Sequence, residues 1–557
     1  MLPDGWLDIW VYRAGWGAAG LALVVAVGRL LFQRTIPPTA AFAEKVEQPP
    51  PRGWPIALLA LMLGSAMAYA LFRVHTPFLI SGDEYMRAHY GYLWSRTLFL
   101  APSDHIWLAG QFYILGAVSR LFQNLMFAVS VTSLLGSLLT VLGAALLAKR
   151  VWASSGAGIA AGVLTAGHWI MLWASANPLA EVFFFPALLL AMERWLAAWQ
   201  EPADTPESLA RRDKALFLAA LLTGLGTMFR FEMWYAGVLL GIVLSIRLLR
   251  MIVKGESARR AFGCFVACAV IAAYPVAWMV SSWIYLGSPL AFARDAAAMN
   301  EATNLFYDTG SAWSKLLTYP EALWDDHWMW LSLPAGGLVL AFFPDRWRRA
   351  LPMILTTLTI FLFAMAVTSQ SGIGSNTRAR YTMFILLPLL VIGAGPLGVL
   401  WESVRSRARW LVRLAVIAVL ALSVYASAVK AVEYYPNAFA VNPDWLEIIT
   451  RLERENDRSR ESLGYTRLHP PGERLYFWAG PRENNDRGHV EYMMLLYHSH
   501  SPRQFYYLGR EDSLFDRLEN ARYNSRFFLR KPLPEWDFPE RARLVEDLGE
   551  FEVWLVE

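Results

Sequence analysis

The sequence predicts a polytopic α-helical membrane protein with about twelve transmembrane helices and a small α/β domain at its C-terminal end. Three observations carry this. Apolar residues make up 56% of the 557 and charged residues only 17%, where a soluble chain is about a quarter charged; the mean hydropathy is +0.33. Many apolar runs approach the ~18–20 residues that cross a bilayer as a helix. The lysines and arginines gather in alternate short connections, as the positive-inside rule requires.

Taken in order, the apolar runs place helices near 14–33, 54–72, 125–148, 155–174, 178–199, 214–230, 233–250, 262–286, 328–344, 350–368, 381–401 and 411–430. Basic clusters follow alternate members of this series: Arg34/Lys45/Arg52, Lys149/Arg150, Arg211/Arg212/Lys214, Arg247/Arg250/Lys254/Arg259/Arg260, Arg346/Arg348/Arg349 and Arg405/Arg407/Arg409. All fall on one side of the membrane, which is read as the cytoplasmic side. The loops 73–124, 175–177, 231–232, 287–327 and 369–380, with everything beyond 430, then face outward. The stretch 106–122 must lie on the surface, since a span there would invert every later cluster; it reads as an interfacial amphipathic helix. The 25 tryptophans and 22 tyrosines suit two aromatic interfaces.

The run 14–33 has no basic region ahead of it and reads as a retained helix, followed by a proline-rich inner linker; together they form a unit 1–53. A membrane domain 54–435 follows. From 436 to 557 Glu, Arg, Asn and Pro become frequent and no spanning run remains. Segments 474–480, 503–509 and 551–557 read as strands, and 444–456 and 488–498 as helices, giving an outer α/β domain of roughly 120 residues. Cys264 and Cys268, spaced i, i+4 in an apolar run, read as small hydrophobes against a neighbouring helix. A net charge of +4 offers no case for nucleic acid.

The chemistry concentrates in the first outer loop, 73–124, which is about fifty residues long and rich in Trp, Tyr and Leu; long loops in compact proteins are usually functional. It opens with adjacent carboxylates in 81-SGDEYMRAHYGYLWSR-96, directly after an apolar helix. The plainer alternative for Asp83 and Glu84 is a solvated pair, but an aromatic loop of this kind should fold onto the bilayer and roof a cavity.

The stretch 83-DEYMRAHYGYLWSR-96, followed by 102-PSDHIWLAGQFYILG-116, resembles the first outer loop of the GT-C glycosyltransferases, in particular the protein mannosyltransferase and aminoarabinose transferase group. That loop carries an Asp-Glu pair and then a His-Pro-Pro-Leu-like segment; here His105 is followed by Ile106 and Trp107. Two further stretches resemble the group: 174–196, with Glu181 opening a helix, and 376–390, with Arg380, Tyr381 and Pro388. The resemblance covers the layout from about 54 to 430. It implies a GT-C fold and transfer of a monosaccharide, with inversion, from a polyprenyl-phosphate sugar to a lipid, glycan or protein at the outer face of a membrane, here read as a prokaryotic plasma membrane.

Such a reaction needs a carboxylate to take the acceptor's proton and to face an oxocarbenium-like centre, and a cation for the departing lipid phosphate. Asp83 is the candidate base. Glu84 orients it, or with Asp83 holds a divalent metal such as Mg or Mn. Arg378, Arg380 and Arg230 compete for the phosphate, since a guanidinium matches phosphate oxygens. Arg230 could instead pair with Glu232 across a hairpin; two residues i, i+2 on a helix do not face each other, so that pairing demands a local turn. Arg87, His89, Asp104, His105, Glu181, Glu232 and Tyr381 are candidate cavity or substrate contacts, with a helix cap the alternative for Asp104. Asp325, Asp326 and His327 read either as cavity residues or as an acidic helix start. His168 reads as a buried, hydrogen-bonded histidine, and 480–500 as an acceptor site or plain domain surface. The competing functions are a transporter or flippase, an oligosaccharyltransferase-like enzyme, whose Trp-Trp-Asp signature is absent, and a non-catalytic scaffold.

Overall fold

The computed structural model describes residues 53–76, 82–96, 107–122, 124–201, 205–291, 379–403 and 409–434, a few isolated positions between 320 and 357, Glu540, and five strands beyond 474. The expected helices 14–33, 328–344 and 350–368, and the helices expected at 444–456 and 488–498, lie outside the described residues.

The membrane part begins with α1 (Trp54–His75), α2 (Gly82–Arg96), α3 (Gly110–Phe122) and α4 (Leu125–Trp152). It continues through α5 (Ser155–Ala166), α6 (Trp169–Ala176), α7 (Glu181–Gln200), α8 (Pro206–Gly226), α9 (Glu232–Val253) and α10 (Ala258–Leu286), and resumes with α11 (Ala379–Ser403) and α12 (Arg409–Tyr434). Among the described residues 7 helices are long and apolar enough to cross a membrane, or up to 8 if the bent pair α5–α6 counts as one span.

Two expectations change at this level. The span expected over 155–174 is broken: α5 and α6 meet at an angle of 64°. Gly167 ends α5, and His168 starts α6 by accepting the Ile170 amide hydrogen on Nδ1 at 3.2 Å. His168 is thus the buried, hydrogen-bonded histidine the sequence suggested, with a capping task. The other change is in the first outer loop, where residues 82–96 form helix α2 and the stretch expected as an interfacial helix is helical from Gly110.

Helix starts follow local chemistry. Asn124 caps α4 through its side-chain oxygen, and Thr205 and Ser208 form a capping box on α8. Helix α8 opens with the charged turns PESLARRDK, so only its second half is continuously apolar and it does not qualify as a span by itself. It runs antiparallel to α7 and packs against it and against α10.

Helices α7 and α11 form the centre: their apolar stretches are 78% and 82% buried, against 11% for α1 and α12. The outer helices present Ile56, Leu63, Val253 and Trp283, all exposed, a surface that suits lipid rather than water. Close packing at the centre depends on small residues. Gly398 lies so near α5 that a Cβ there would come 2.0 Å from the Ala157 nitrogen. Trp152 donates its indole hydrogen to the Val391 carbonyl at 3.0 Å, joining α4 to α11. Cys264 and Cys268 are free thiols on the α10 face toward α9, and Cys264 Sγ lies 3.2 Å from the Leu244 carbonyl.

The C-terminal part contains a mixed sheet of β1 (Leu475–Trp478), β2 (Phe505–Leu508), β3 (Ser525–Arg530), β4 (Ala542–Asp547) and β5 (Phe551–Val556), in the order β2-β1-β3-β5-β4. Strands β1, β2 and β5 are the three expected; β3 and β4 are additional. β1 is parallel to both β2 and β3, while β5 is antiparallel to β3 and β4. Phe527, Leu529, Val553 and Val556 are buried.

Candidate functional site

Helix α2 puts Asp83 and Glu84 in its first turn, where the helix dipole favours carboxylates. Glu84 is completely buried and Arg87 nearly so. The side chain of Asp83 lies outside the described residues. Residues three apart share a helix face, so Glu84 and Arg87 project together. Arg87 donates from Nη1 to Gln111 Oε1 at 2.9 Å, and its guanidinium stands 4.5 Å from the centre of the Trp107 ring. The Gln111 side chain is fully buried, and its amide nitrogen has no hydrogen-bond partner among the described residues.

Gln111 belongs to the first turn of α3, and Gly110 fastens that turn to the α8–α9 hairpin. The Gly110 amide donates to the Met228 carbonyl at 3.0 Å. A Cβ at position 110 would lie 2.6 Å from the same carbonyl oxygen, so only glycine allows this approach. Two further bonds fix the corner: Ala109 N–H donates to the Tyr274 hydroxyl at 3.1 Å, and Trp234 Nε1 donates to the Thr227 carbonyl at 2.9 Å.

Arg230 occupies the non-helical turn between α8 and α9. It donates from Nη1 to Glu181 Oε1 at 2.8 Å and from Nε to Glu232 Oε2 at 3.0 Å, and its Nη2 closes a second bond to Glu232. The turn therefore provides the geometry that an i, i+2 pair needs. Glu181, 2% exposed in its side chain, starts α7. Pro186 in that helix has no N–H for the carbonyl of Val182, and Gly136 of α4 presses against this carbonyl, where a Cβ would come within 2.2 Å. Ser133 donates to the Asn177 carbonyl at 2.7 Å, and Arg73 at the end of α1 donates to the Ala176 carbonyl at 3.2 Å. The start of α7 is thus held from several sides.

One end of the bundle consequently gathers Glu84, Arg87, Trp107, Gln111, Glu181, Arg230 and Glu232 from four separate stretches of chain. His89 lies two residues beyond Arg87 on α2, beside Tyr90 and Tyr92. Arg380 and Tyr381 fall in the first turn of α11 with their side chains outside the described residues. Asp104, His105, Arg378, Asp325, Asp326, His327 and the 480–500 segment lie outside the described residues altogether. Trp107 and Gln111 are the contacts that sequence reasoning missed. The signal is a glutamine amid the apolar residues of 106–122, a stretch whose amphipathicity alone does not mark it.

Among the described residues no three His, Cys, Asp or Glu side chains come together. Glu84 is the single described carboxylate of the α2 start, too few donors for a divalent ion that takes six or more oxygens. The described residues alone do not make up such a shell.

The sequence matches no known family profile and no curated protein. In structure, the chain is similar to ArnT from Cupriavidus metallidurans bound to undecaprenyl phosphate, with a TM-score of 0.54 at 14% identity over 91% of this chain and 98% of that one. It also aligns with the oligosaccharyltransferase of Archaeoglobus fulgidus (TM-score 0.48, 14% identity, 83% of this chain), spanning only 64% of that chain's length. The Saccharomyces cerevisiae protein O-mannosyltransferase complex Pmt1-Pmt2 aligns over 45% of this chain, with a TM-score of 0.33 and 16% identity. The alignment with ArnT, over nearly the whole length of both chains, shows that this chain shares that fold, the GT-C fold.

Proposed function

We propose that this protein is an inverting glycosyltransferase that moves a hexosyl or pentosyl unit from a polyprenyl-phosphate carrier to a lipid, glycan or protein acceptor at the outer face of a prokaryotic plasma membrane. The observation that carries this reading is the gathering of buried ionisable groups at one end of a GT-C bundle, headed by Glu84 in the first turn of α2. Ionisable groups at the ends of membrane helices are costly to bury and usually serve function.

In this reading Asp83 accepts the proton of the acceptor hydroxyl as the new glycosidic bond forms. The bond from the anomeric carbon to the phosphate oxygen breaks on the opposite face, so the configuration inverts and the lipid phosphate leaves with the electron pair. Glu84, buried one residue away, holds the turn that orients Asp83. Arg378 and Arg380, at the entry to α11, receive the departing phosphate. Arg230 has Glu181 and Glu232 as partners, and its task is to hold the α8–α9 hairpin against α7. Arg87, fixed by Gln111 and Trp107 on the α2 face it shares with Glu84, lies beside the cavity in this reading, with Asp104, His105 and Tyr381 completing it; His89, two residues on, belongs to another face of α2. The similarity to a protein crystallised with undecaprenyl phosphate supports the choice of carrier.

The test uses the purified chain and its Asp83→Asn variant in detergent, with labelled polyprenyl-phosphate monosaccharides and membranes as the acceptor source. One sugar transferred by the wild type and not by the folded variant supports the proposal. Equal transfer by both removes Asp83 as the base. Donor binding with no transfer under any acceptor condition removes the enzymatic reading.

A further inference from the structure

A second constellation lies at the opposite end of the same helices. α7 and α9 both start at the candidate site, with Glu181 and Glu232, and both end at a cleft of about 230 Å³ lined by Trp195, Trp199, Arg212, Val243, Arg247 and Arg250, among others. At 1.5 Å per residue, Trp199 lies about 27 Å along α7 from Glu181, so the cleft is separate from the first site.

Its chemistry is two-sided. Arg247 pairs with Asp213, and Arg260 shares that carboxylate at 2.9 Å while binding Glu256 at 3.0 Å. With Arg212 and Arg250, four guanidiniums thus stand against two carboxylates. The Arg212 Nε is buried without a hydrogen-bond partner among the described residues, and an unsatisfied buried donor is costly. Arg250 makes no ion pair among the described residues. Beside this cationic rim the surface is apolar and outward-facing: Trp199, Ile246 and Leu249 are exposed at 63%, 48% and 62%. A soluble anion has no use for that apolar skirt. A headgroup phosphate with an attached acyl chain satisfies both halves, and basic pockets between membrane helices bind such headgroups.

We propose that this cleft is a binding site for an anionic phospholipid, its phosphate on Arg212 and Arg250 and its acyl chain along Val243, Ile246 and Leu249, between Trp195 and Trp199. The lipid holds together the ends of α7, α8 and α9 remote from the candidate active site, and the site is independent of the proposed transferase activity.

Native mass spectrometry of the full chain, released from mixed micelles of phosphatidylglycerol and phosphatidylcholine, tests this directly. Wild type is expected to retain phosphatidylglycerol over phosphatidylcholine, and the double variant Arg212→Gln/Arg250→Gln to lose that preference by roughly thirtyfold, in line with two basic groups near a headgroup. Arg250 is exposed, so Arg250→Gln alone keeps the fold and is expected to show part of the loss. Val243→Trp narrows the cleft without altering charge and is expected to lower retention as well. Equal retention of the two lipids by wild type, or undiminished retention by folded Arg250→Gln and Val243→Trp, overturns the proposal. Displacement of the lipid by millimolar inorganic phosphate overturns it too, by assigning the site to a free anion.

Discussion

At the scale of single residues the central expectation concerns the α2 start. Asp83→Asn is expected to lower transfer by roughly 10²–10⁴-fold, the range for loss of a general base, with the protein still folded by size-exclusion and thermal unfolding. Glu84→Gln should lower transfer less, because it acts through Asp83. Arg230 behaves differently. Its side chain is 12% exposed and the Glu181 carboxylate 2%, so Arg230→Ala leaves a buried charge without its counter-ion and is expected to cost about 3–5 kcal/mol. Adding Glu181→Gln to that variant should restore part of the loss in thermal unfolding. If Arg230→Ala instead folds normally and loses only donor affinity, the phosphate contact belongs to it after all. Residue identity was the most legible level of the sequence for these groups: an acidic pair after an apolar helix, and an arginine two residues from a glutamate, stand out because charges are rare in such surroundings. The Glu181 partner was not legible, since 49 residues separate it from Arg230 and only tertiary packing brings the two together.

At the scale of elements the hairpin between α8 and α9 governs the geometry. Gly110 meets the Met228 backbone with no room for a methyl group. Gly110→Ala is expected to destabilise by about 1–3 kcal/mol through overpacking and to reduce transfer beyond its effect on stability, because α3 carries Gln111 toward Arg87; thermal unfolding and initial rates on one preparation separate the two effects. Apolar length made helices such as α4, α9 and α10 readable to within a few residues. It failed at 155–174, where a continuous apolar run conceals the break at Gly167 and His168. Hydropathy counts side chains, and a glycine beside a side-chain cap costs it nothing. It failed likewise at α2, whose mean character is polar and whose helicity comes from packing against α3 rather than from an apolar stripe. Strand β4 escaped because its alternation is interrupted by a shift of register between Leu544 and Glu546.

At the scale of the whole molecule, the arginine clusters and the packing tell one story. The ion pairs Arg150–Glu193, Arg211–Glu201 and Arg260–Asp213 lie at one end of the bundle, and Arg230 with its carboxylates at the other. In a variant with Cys264→Ala and Cys268→Ala, a new cysteine at Glu256 is expected to react with an impermeant thiol reagent only from the cytoplasmic side. One at Pro289, past the opposite end of α10, should react only from outside; labelling of both from one side would refute the two-ended arrangement. The GT-C architecture was visible in the sequence as a layout of loops rather than as any extended motif. Sequence identity to ArnT is only 14%; a lipid-facing position accepts any apolar side chain, so such a fold constrains few residue identities there.

The charged opening of α8 has a consequence for biogenesis. A segment whose first turns are PESLARRDK partitions poorly into lipid as it leaves the ribosome. Its partner α7 is so largely covered by protein in the finished fold that it too gains little from lipid in the end. The two should therefore enter the bilayer together, as a helical hairpin whose polar half is shielded by its neighbour. A fusion carrying α8 alone is expected to stay outside the membrane, and one carrying α7 and α8 to insert.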